Sequence, residues 1–275
     1  MPRLVLAMAF LVCTVTMQAD PVLKPGGMVE FLVEMPQTLR EFAAGGRTSP
    51  VKNVRVAVVV PADFDPARVW PVMVISATSD PEYNSSCVLL GQYARAALAT
   101  GWILLAADPQ EKVGLAEDNL QLRFALAGTG LSGLEQLWPG AAKAPLAFGG
   151  YSGGAKHSGW LTAEFAAQGR LAIGVFQGGI NKETVALAGR RLNVLNEAYR
   201  RIPIYLQGGT KDEIATPEAH RAVAAALKRS GFVHVRLEFN EARHAIDARQ
   251  LQHALAWFSE LAALKTPAET DASRR

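Results

Sequence analysis

The feature that most constrains the fold of this chain is a regular alternation of short apolar stretches with longer helix-compatible stretches. Apolar strand candidates recur at 72–76, 102–107, 146–148, 171–176, 203–207 and 233–239. Helix-compatible stretches lie between and after them, at 85–99, 117–127, 154–167, 182–200, 217–229 and 247–264. Strands that are apolar on both faces and alternate with helices are typical of a parallel sheet covered on both sides. We therefore predict an α/β fold with a mostly parallel central sheet and helices on both faces.

Two more strand candidates, at 29–34 and 54–60, precede this pattern, and a loop is predicted between them at 43–50. Asp108 and Pro109, which follow the candidate at 102–107, are predicted to form a turn. A length of 275 residues fits one large domain, and no linker divides it. We expect a single domain over residues 20–264, followed by a disordered polar tail at 265–275.

The N-terminus has the three-part layout of a secretory signal peptide. A short positive start is followed by a continuous apolar run, Leu4–Val15, and then by a polar stretch. The apolar run is too short for a stable membrane anchor. We predict that residues 1–19 are a signal peptide cleaved after Ala19, and that the mature protein is secreted or periplasmic.

Charge and composition exclude several classes of partner and cofactor. The 28 basic and 25 acidic residues give a net charge of +3, without the basic cluster that a nucleic-acid surface requires. Of the two cysteines, Cys13 lies in the predicted signal peptide, which leaves Cys87 as an unpaired, buried thiol. No group of His, Cys and carboxylate residues has metal-ligand spacing. We expect no nucleic-acid partner, no metal and no cofactor.

One serine, Ser152, lies among four glycines, at positions 149, 150, 153 and 154, between a strand candidate and a helix candidate. The stretch Gly150-Tyr151-Ser152-Gly153-Gly154 matches the pattern G-x-S-x-G, a tight turn that exposes the serine hydroxyl. Open parallel sheets bind ligands beyond the carboxyl ends of their strands, where this serine is predicted to lie. Gly153 would be the first residue of the next helix, and its N–H would lie at the helix N-terminus, where developing negative charge is stabilised. The pattern alone also fits a glycine-rich turn that only lets a strand and a helix pack closely.

Two later residues supply the partners that a nucleophilic serine needs. A serine hydroxyl requires a base, and the base requires an acid that orients it. Asp212 follows the strand candidate at 203–207, with Glu213 as the alternative acid, and His244 follows the candidate at 233–239. Their order along the chain favours a catalytic site over a plain turn. The remaining histidines are predicted in helices or a strand, and His157 is expected to have a packing or surface role.

With these residues in place, the chain resembles the α/β-hydrolase superfamily over about residues 50–264. Within that span, VPADFDPARVWPVMVI and GWILLAADP are similar to polyhydroxybutyrate-depolymerase, feruloyl-esterase and dienelactone-hydrolase relatives. The resemblance implies hydrolysis of carboxylic esters, small or polymeric, through an acyl-enzyme. It implies Ser152 as the nucleophile, His244 as the base and Asp212 as its partner, with no cofactor.

The chain departs from this family after the strand at 72–76. The family usually carries His-Gly there, and a backbone N–H just beyond completes the oxyanion hole, whereas this chain has Ser76-Ala77-Thr78. We predict an oxyanion hole formed by the N–H groups of Gly153 and of Ala77 or Thr78. Two alternatives stay open: a secreted serine peptidase of the prolyl-oligopeptidase kind, and a weakly active or inactive binding protein with the same fold.

Overall fold

A computed structural model describes residues 21–45, 51–114 and 118–264. In this part of the chain eight strands form one sheet. The strands are β1 Met28–Glu34, β2 Asn53–Val59, β3 Val72–Ser76, β4 Ile103–Pro109, β5 Leu146–Tyr151, β6 Gly174–Gly178, β7 Ile204–Gly209 and β8 Val235–Asn240.

The sheet is mostly parallel, as predicted. Its strand order is β1-β2-β4-β3-β5-β6-β7-β8, and β2 is antiparallel to both of its neighbours, β1 and β4. All pairs from β4 across to β8 are parallel. The carboxyl ends of β3, β5, β7 and β8 therefore lie along one edge of the sheet, which brings the loops after these strands to the same side.

Helices cover both faces of the sheet, which confirms the predicted fold class. The helices are α1 Gln37–Ala43, α2 Ser86–Thr100, α3 Leu120–Leu137, α4 Gly153–Ala167, α5 Val185–Arg191, α6 Glu197–Arg200, α7 Pro217–Arg229 and α8 Ala248–Leu264, with a short 3₁₀ turn at Pro139–Lys143. Helices α2 and α8 pack together on one face, over a core that includes Leu90, Phe176 and Phe258. Helices α1, α3, α4, α5 and α7 contribute to the core on the other face.

Two of the predicted helical stretches are wrong in extent, and one helix was not predicted. Helix α3 continues to Leu137 instead of ending at 127, although three glycines follow in its sequence. Its glycines allow close packing: a Cβ on Gly133 would lie 2.6 Å from Cγ2 of Val33. The stretch at 182–200 is two helices, because Asn193 adopts a φ of 57° and Asn196 caps α6. Helix α1 lies in a stretch for which no helix was predicted.

Several strand boundaries also differ from the prediction. The strand predicted at 171–176 runs from Gly174 to Gly178, because Leu171 is largely exposed outside the sheet. β8 likewise begins at Val235 and ends at Asn240. β5 extends to Tyr151, so it leads directly into Ser152. In each case the strand ends later than predicted, because pairing with neighbouring strands continues beyond the apolar stretch toward the carboxyl edge.

Asp108 is the last buried residue of β4 and caps helix α2, so the turn predicted there is wrong. One carboxylate oxygen accepts the Ser86 N–H at 2.7 Å. The other accepts the Cys87 N–H at 2.9 Å and the Ser85 hydroxyl at 2.7 Å. A carboxylate that accepts backbone N–H groups at a helix N-terminus satisfies donors that have no partner within the helix. Asp108 thereby attaches the start of α2 to the end of β4.

Cys87 is a free, buried thiol, as predicted. Burial, together with the nearby Asp108 carboxylate, raises the pKa of Cys87 well above its usual range. Within the described ranges, no helix has the length and apolar character needed to cross a bilayer. The signal peptide predicted at 1–19 and the tail predicted at 265–275 lie outside these ranges. Export stays a prediction, which N-terminal sequencing of the exported protein would test.

We predict that Asp108→Asn lowers the free energy of unfolding by about 2 kcal/mol, because an amide nitrogen replaces one of two oxygens that accept charge-assisted hydrogen bonds. Urea unfolding followed by circular dichroism measures the change. Asp63→Asn is the matched control, since Asp63 is exposed in a surface ion pair with Arg68. Equal stability losses in the two variants would contradict this role of Asp108.

Candidate active site

Ser152 connects β5 to α4 in a backbone conformation that is rare for any residue except glycine. Its φ is 54° and its ψ is −115°. Such a conformation costs on the order of 1–3 kcal/mol and persists only where surrounding contacts enforce it. One of these contacts is the hydrogen bond that the Ser152 N–H donates to the Gly178 carbonyl at 2.8 Å. The motif thus lies between a strand and a helix, as predicted.

The two outer glycines of the motif are required by close packing. A Cβ on Gly154 would collide with the carbonyl oxygen of Ser76 and lie 2.9 Å from the carbonyl carbon of Ala77. A Cβ on Gly150 would collide with the same Ser76 oxygen and lie 2.5 Å from the backbone of Gly154. The turn at Ser152 is therefore pressed directly against the end of β3.

Asp212 and His244, which are 32 positions apart, are hydrogen bonded. Nδ1 of His244 lies 2.7 Å from Oδ2 of Asp212, whose side chain is fully buried. The other carboxylate oxygen accepts the N–H groups of Ile214 and Ala215, both at 2.8 Å. Burial alone would raise the pKa of Asp212, but the hydrogen bonds from Ala215, His244 and Ile214 outweigh it and lower the pKa below its usual value. Asp212 is thus an anion at neutral pH.

The loops that carry these two residues are attached to each other by the backbone. Lys211, just before Asp212, donates its N–H to the Ala242 carbonyl at 3.0 Å. The buried Gln207 of β7 donates its side-chain amide to the Ala245 carbonyl at 3.4 Å, directly after His244. Because β7 and β8 are parallel neighbours, both loops leave the sheet at the same edge.

His244 also lies beside the turn at Ser152. Its ring is 4.9 Å from the ring of Tyr151, measured between centroids. A Cβ on Gly179 would lie 2.8 Å from both Cε1 of His244 and Cζ of Tyr151. Within the described part of the chain, neither the Ser152 hydroxyl nor Nε2 of His244 has a hydrogen-bond partner. Glu213 is exposed, so it does not replace Asp212 as the partner of His244.

Of the three N–H groups predicted for an oxyanion hole, that of Ala77 is already engaged. It donates to the hydroxyl of Ser86 at 3.1 Å. Thr78 packs closely on Gly153, where an added Cβ would collide with the Thr78 hydroxyl and lie 3.1 Å from its Cα. The amides of Gly153 and Thr78 therefore remain the two candidates at this position.

His157, for which a packing or surface role was expected, contacts the same loop. Its Nδ1 lies 2.9 Å from the Ala77 carbonyl oxygen. Burial, with the positive charge of Arg123, lowers the pKa of His157 to about 4. The ring is therefore neutral at pH 7, and because a carbonyl oxygen only accepts, its single proton is on Nδ1.

The sequence gives little indication of two further residues, which form a buried ion pair beside the loop after β3. Arg123, in the apolar helix α3, forms a buried ion pair with Asp118 at 2.5 Å. An arginine among apolar helical residues is a detectable signal, but its partner lies in a loop. The pocket beside this pair has a volume of about 460 Å³ and is lined by both residues together with Arg55, Asp108 and Lys112. Among the described residues, no group of metal-ligating side chains is present.

Comparison with known proteins identifies the fold. No protein-family model and no curated protein matches this sequence. Among solved structures, the chain is similar to XC6422 from Xanthomonas campestris, an α/β serine hydrolase without a lid, at 17% identity and a TM-score of 0.54, covering 88% of this chain and 97% of that one. It is also similar to an esterase from Pyrobaculum calidifontis, at 12% identity and a TM-score of 0.57, covering 88% and 84%.

A third similar structure is a putative dipeptidyl aminopeptidase IV from Bacteroides ovatus, at 14% identity and a TM-score of 0.57. The match covers 86% of this chain but only 36% of that one. At these identities the likeness concerns the fold, which is the α/β-hydrolase fold predicted from the sequence. The strand order and the single antiparallel strand β2 agree with that conclusion.

We predict that Gly154→Ala destabilises the protein by about 3 kcal/mol, because the added methyl group would overlap the Ser76 carbonyl. Gly91→Ala is the matched control: Gly91 is an exposed residue of α2 with open space around its Cα. That change should instead raise the free energy of unfolding by about 0.5–1 kcal/mol. Urea unfolding of both variants tests the packing, and an unaffected Gly154→Ala protein would contradict it.

The lowered pKa of His157 predicts a pH-dependent stability. As the pH falls below about 6.5, the ring binds a proton in the unfolded state but stays neutral in the folded state down to about pH 4. Protonation therefore favours unfolding in this window, and between pH 7 and 5 the wild type should lose about 2 kcal/mol more than His157→Leu. Urea unfolding at the two pH values measures the difference, with His253→Leu on α8 as the control. Equal losses in wild type and His157→Leu would contradict the buried, neutral ring.

Proposed function

We propose that this protein is a serine hydrolase that cleaves carboxylic esters through an acyl-enzyme on Ser152. The observation that carries the proposal is the hydrogen bond between His244 and the buried Asp212 anion, next to the strained turn that bears Ser152. The similarity in fold to serine hydrolases and esterases supports the same class of reaction. A serine, a histidine and a carboxylate together make an otherwise unreactive alcohol nucleophilic.

His244 would act as the base in the first step. Asp212 accepts a hydrogen bond from the Nδ1–H group of His244, so the lone pair of the neutral ring is on Nε2. Nε2 takes the proton of Ser152 as its oxygen attacks the ester carbonyl, and the resulting imidazolium is stabilised by Asp212. A short hydrogen bond between the hydroxyl and Nε2 need not exist before substrate binds, because such contacts often tighten only in the complex.

The negative charge on the carbonyl oxygen would be stabilised by two backbone donors. Gly153 provides an N–H at the first residue of α4, where the helix dipole favours an anion. Thr78, packed on Gly153, provides the second N–H, since that of Ala77 is engaged by Ser86. His244 then protonates the leaving alcohol, and a water molecule repeats the attack to release the acid.

Esters are favoured over peptides as substrates. The dipeptidyl aminopeptidase-like relative is a much longer chain, of which this protein matches 36%. Several of the structurally similar proteins are described as esterases. A small-molecule or polymeric ester is therefore the proposed substrate, and a peptide p-nitroanilide panel assayed beside an ester panel separates the two possibilities.

We predict that the purified protein hydrolyses short-chain p-nitrophenyl esters, and that Ser152→Ala lowers kcat by about 10⁴-fold or more. Asp212→Asn should lower kcat by about 10³–10⁴-fold, because the imidazole loses the partner that fixes its tautomer. Initial-rate kinetics with each ester measure both effects.

Glu213→Gln is the control for Asp212, because Glu213 is adjacent in sequence and exposed, and this variant should retain wild-type kcat. Ester hydrolysis by Ser152→Ala at the wild-type rate would refute the proposed nucleophile. A wild-type protein inactive on every ester and peptide tested would instead favour a binding protein that retains this fold.

A further inference from the structure

The loop that follows β3 is held by side chains from two helices. This loop, Ala77–Ser79, stands where the family that the chain resembles usually carries His-Gly. The two carbonyl groups on either side of the Thr78 N–H, those of Ala77 and Thr78, both accept hydrogen bonds from side chains. His157 of α4 contacts the Ala77 carbonyl at 2.9 Å, and Arg123 of α3 donates to the Thr78 carbonyl at 3.1 Å. The loop therefore depends on contacts from residues far away in sequence.

The contact with His157 acts directly on the peptide unit that contains the Thr78 N–H. The Ala77 carbonyl and the Thr78 N–H belong to one planar trans peptide, so they point in opposite directions. A donor fixed on the Ala77 oxygen therefore fixes the direction of the Thr78 N–H. The same hydrogen bond polarises the amide and makes its N–H a stronger donor.

The contact with Arg123 is rigid because the guanidinium is held on several sides. Its Nε and Nη2 bind the two carboxylate oxygens of Asp118 at 2.6 and 2.5 Å. Nη1 lies 3.4 Å from the hydroxyl of Ser86, which also accepts the Ala77 N–H. The side chains of Arg123 and Asp118 are only 4% and 9% exposed, so water does not compete strongly for these bonds.

We infer that His157 and Arg123 are positioning residues that orient the Thr78 N–H toward the carbonyl oxygen of the substrate. This inference rests on the proposed function, in which the amides of Thr78 and Gly153 stabilise the oxyanion. The same contacts explain how the loop can do without the glycine of the usual His-Gly sequence. A glycine reaches unusual backbone angles by itself, whereas here side chains from α3 and α4 hold the loop in place.

The first experiment compares two substitutions of His157. His157→Leu removes the donor but keeps an apolar side chain of similar size, and it should lower kcat by about 30-fold with KM changed less than about threefold. His157→Asn places an amide nitrogen at the position of Nδ1 and should recover kcat to within about fivefold of wild type. His253→Leu, an exposed histidine of α8, is the control and should have wild-type kinetics.

A second measurement does not depend on activity. Amide hydrogen exchange at residues 77–80, followed by mass spectrometry, should accelerate by about tenfold or more in His157→Leu, and His157→Asn should restore the wild-type rate. Unchanged exchange, or unchanged kcat despite faster exchange, would overturn the inference. If wild type hydrolyses no ester, the proposed function fails separately, while exchange still shows whether His157 holds the loop.

Arg123→Lys provides the same test should His157→Leu fail to fold. A lysine keeps a positive charge for Asp118 but lacks the rigid planar fork whose Nε and Nη2 bind Asp118 while Nη2 also donates to the Thr78 carbonyl. This variant should show the same lower kcat at similar KM and the same faster exchange at residues 77–80. Wild-type values for both measurements would overturn the role of Arg123.

Discussion

Ser152 is held at a φ of 54° by contacts on both sides of the turn, and the geometry of the site depends on that constraint. The Ser152 N–H donates a hydrogen bond to the carbonyl of Gly178 in β6. Gly150 and Gly154 have no side chains, so the turn can pack directly against the carbonyl of Ser76 at the end of β3. Ser152 and the loop after β3 therefore share one contact surface. Any movement of the turn would also displace Thr78, which packs on Gly153.

The buried charges around this turn serve two different purposes. The Asp212 carboxylate accepts three hydrogen bonds, one of them from His244, and so fixes the proton on Nδ1 and leaves Nε2 available. The Asp118 carboxylate accepts hydrogen bonds from Arg123, which in turn donates to the carbonyl of Thr78. In the proposed mechanism, the pair of Asp212 and His244 prepares a proton transfer, whereas the pair of Asp118 and Arg123 fixes the direction of a peptide N–H. Both are buried, so both interactions are stronger than they would be in water.

The sequence was sufficient for the fold and for the convergence of Asp212 and His244, because both depend on chain order. Parallel strands bring the ends of β7 and β8 to one edge, so residues just after those strands must be neighbours. The helical length of α3 could not be predicted, because its glycines are tolerated only where they pack against β1 and β4. The role of Asp108 was missed for a similar reason: it depends on where α2 begins in space, not on its neighbours in sequence.

If Ser152 is a nucleophile activated by His244, it should react covalently with a reagent that modifies activated serines. The protein would be treated with a fluorophosphonate, digested, and the modified residue located by mass spectrometry. We expect one adduct, on Ser152, formed at a rate that falls by orders of magnitude when His244 is replaced by alanine. An unlabelled Ser152, or labelling that proceeds equally well without His244, would contradict this expectation.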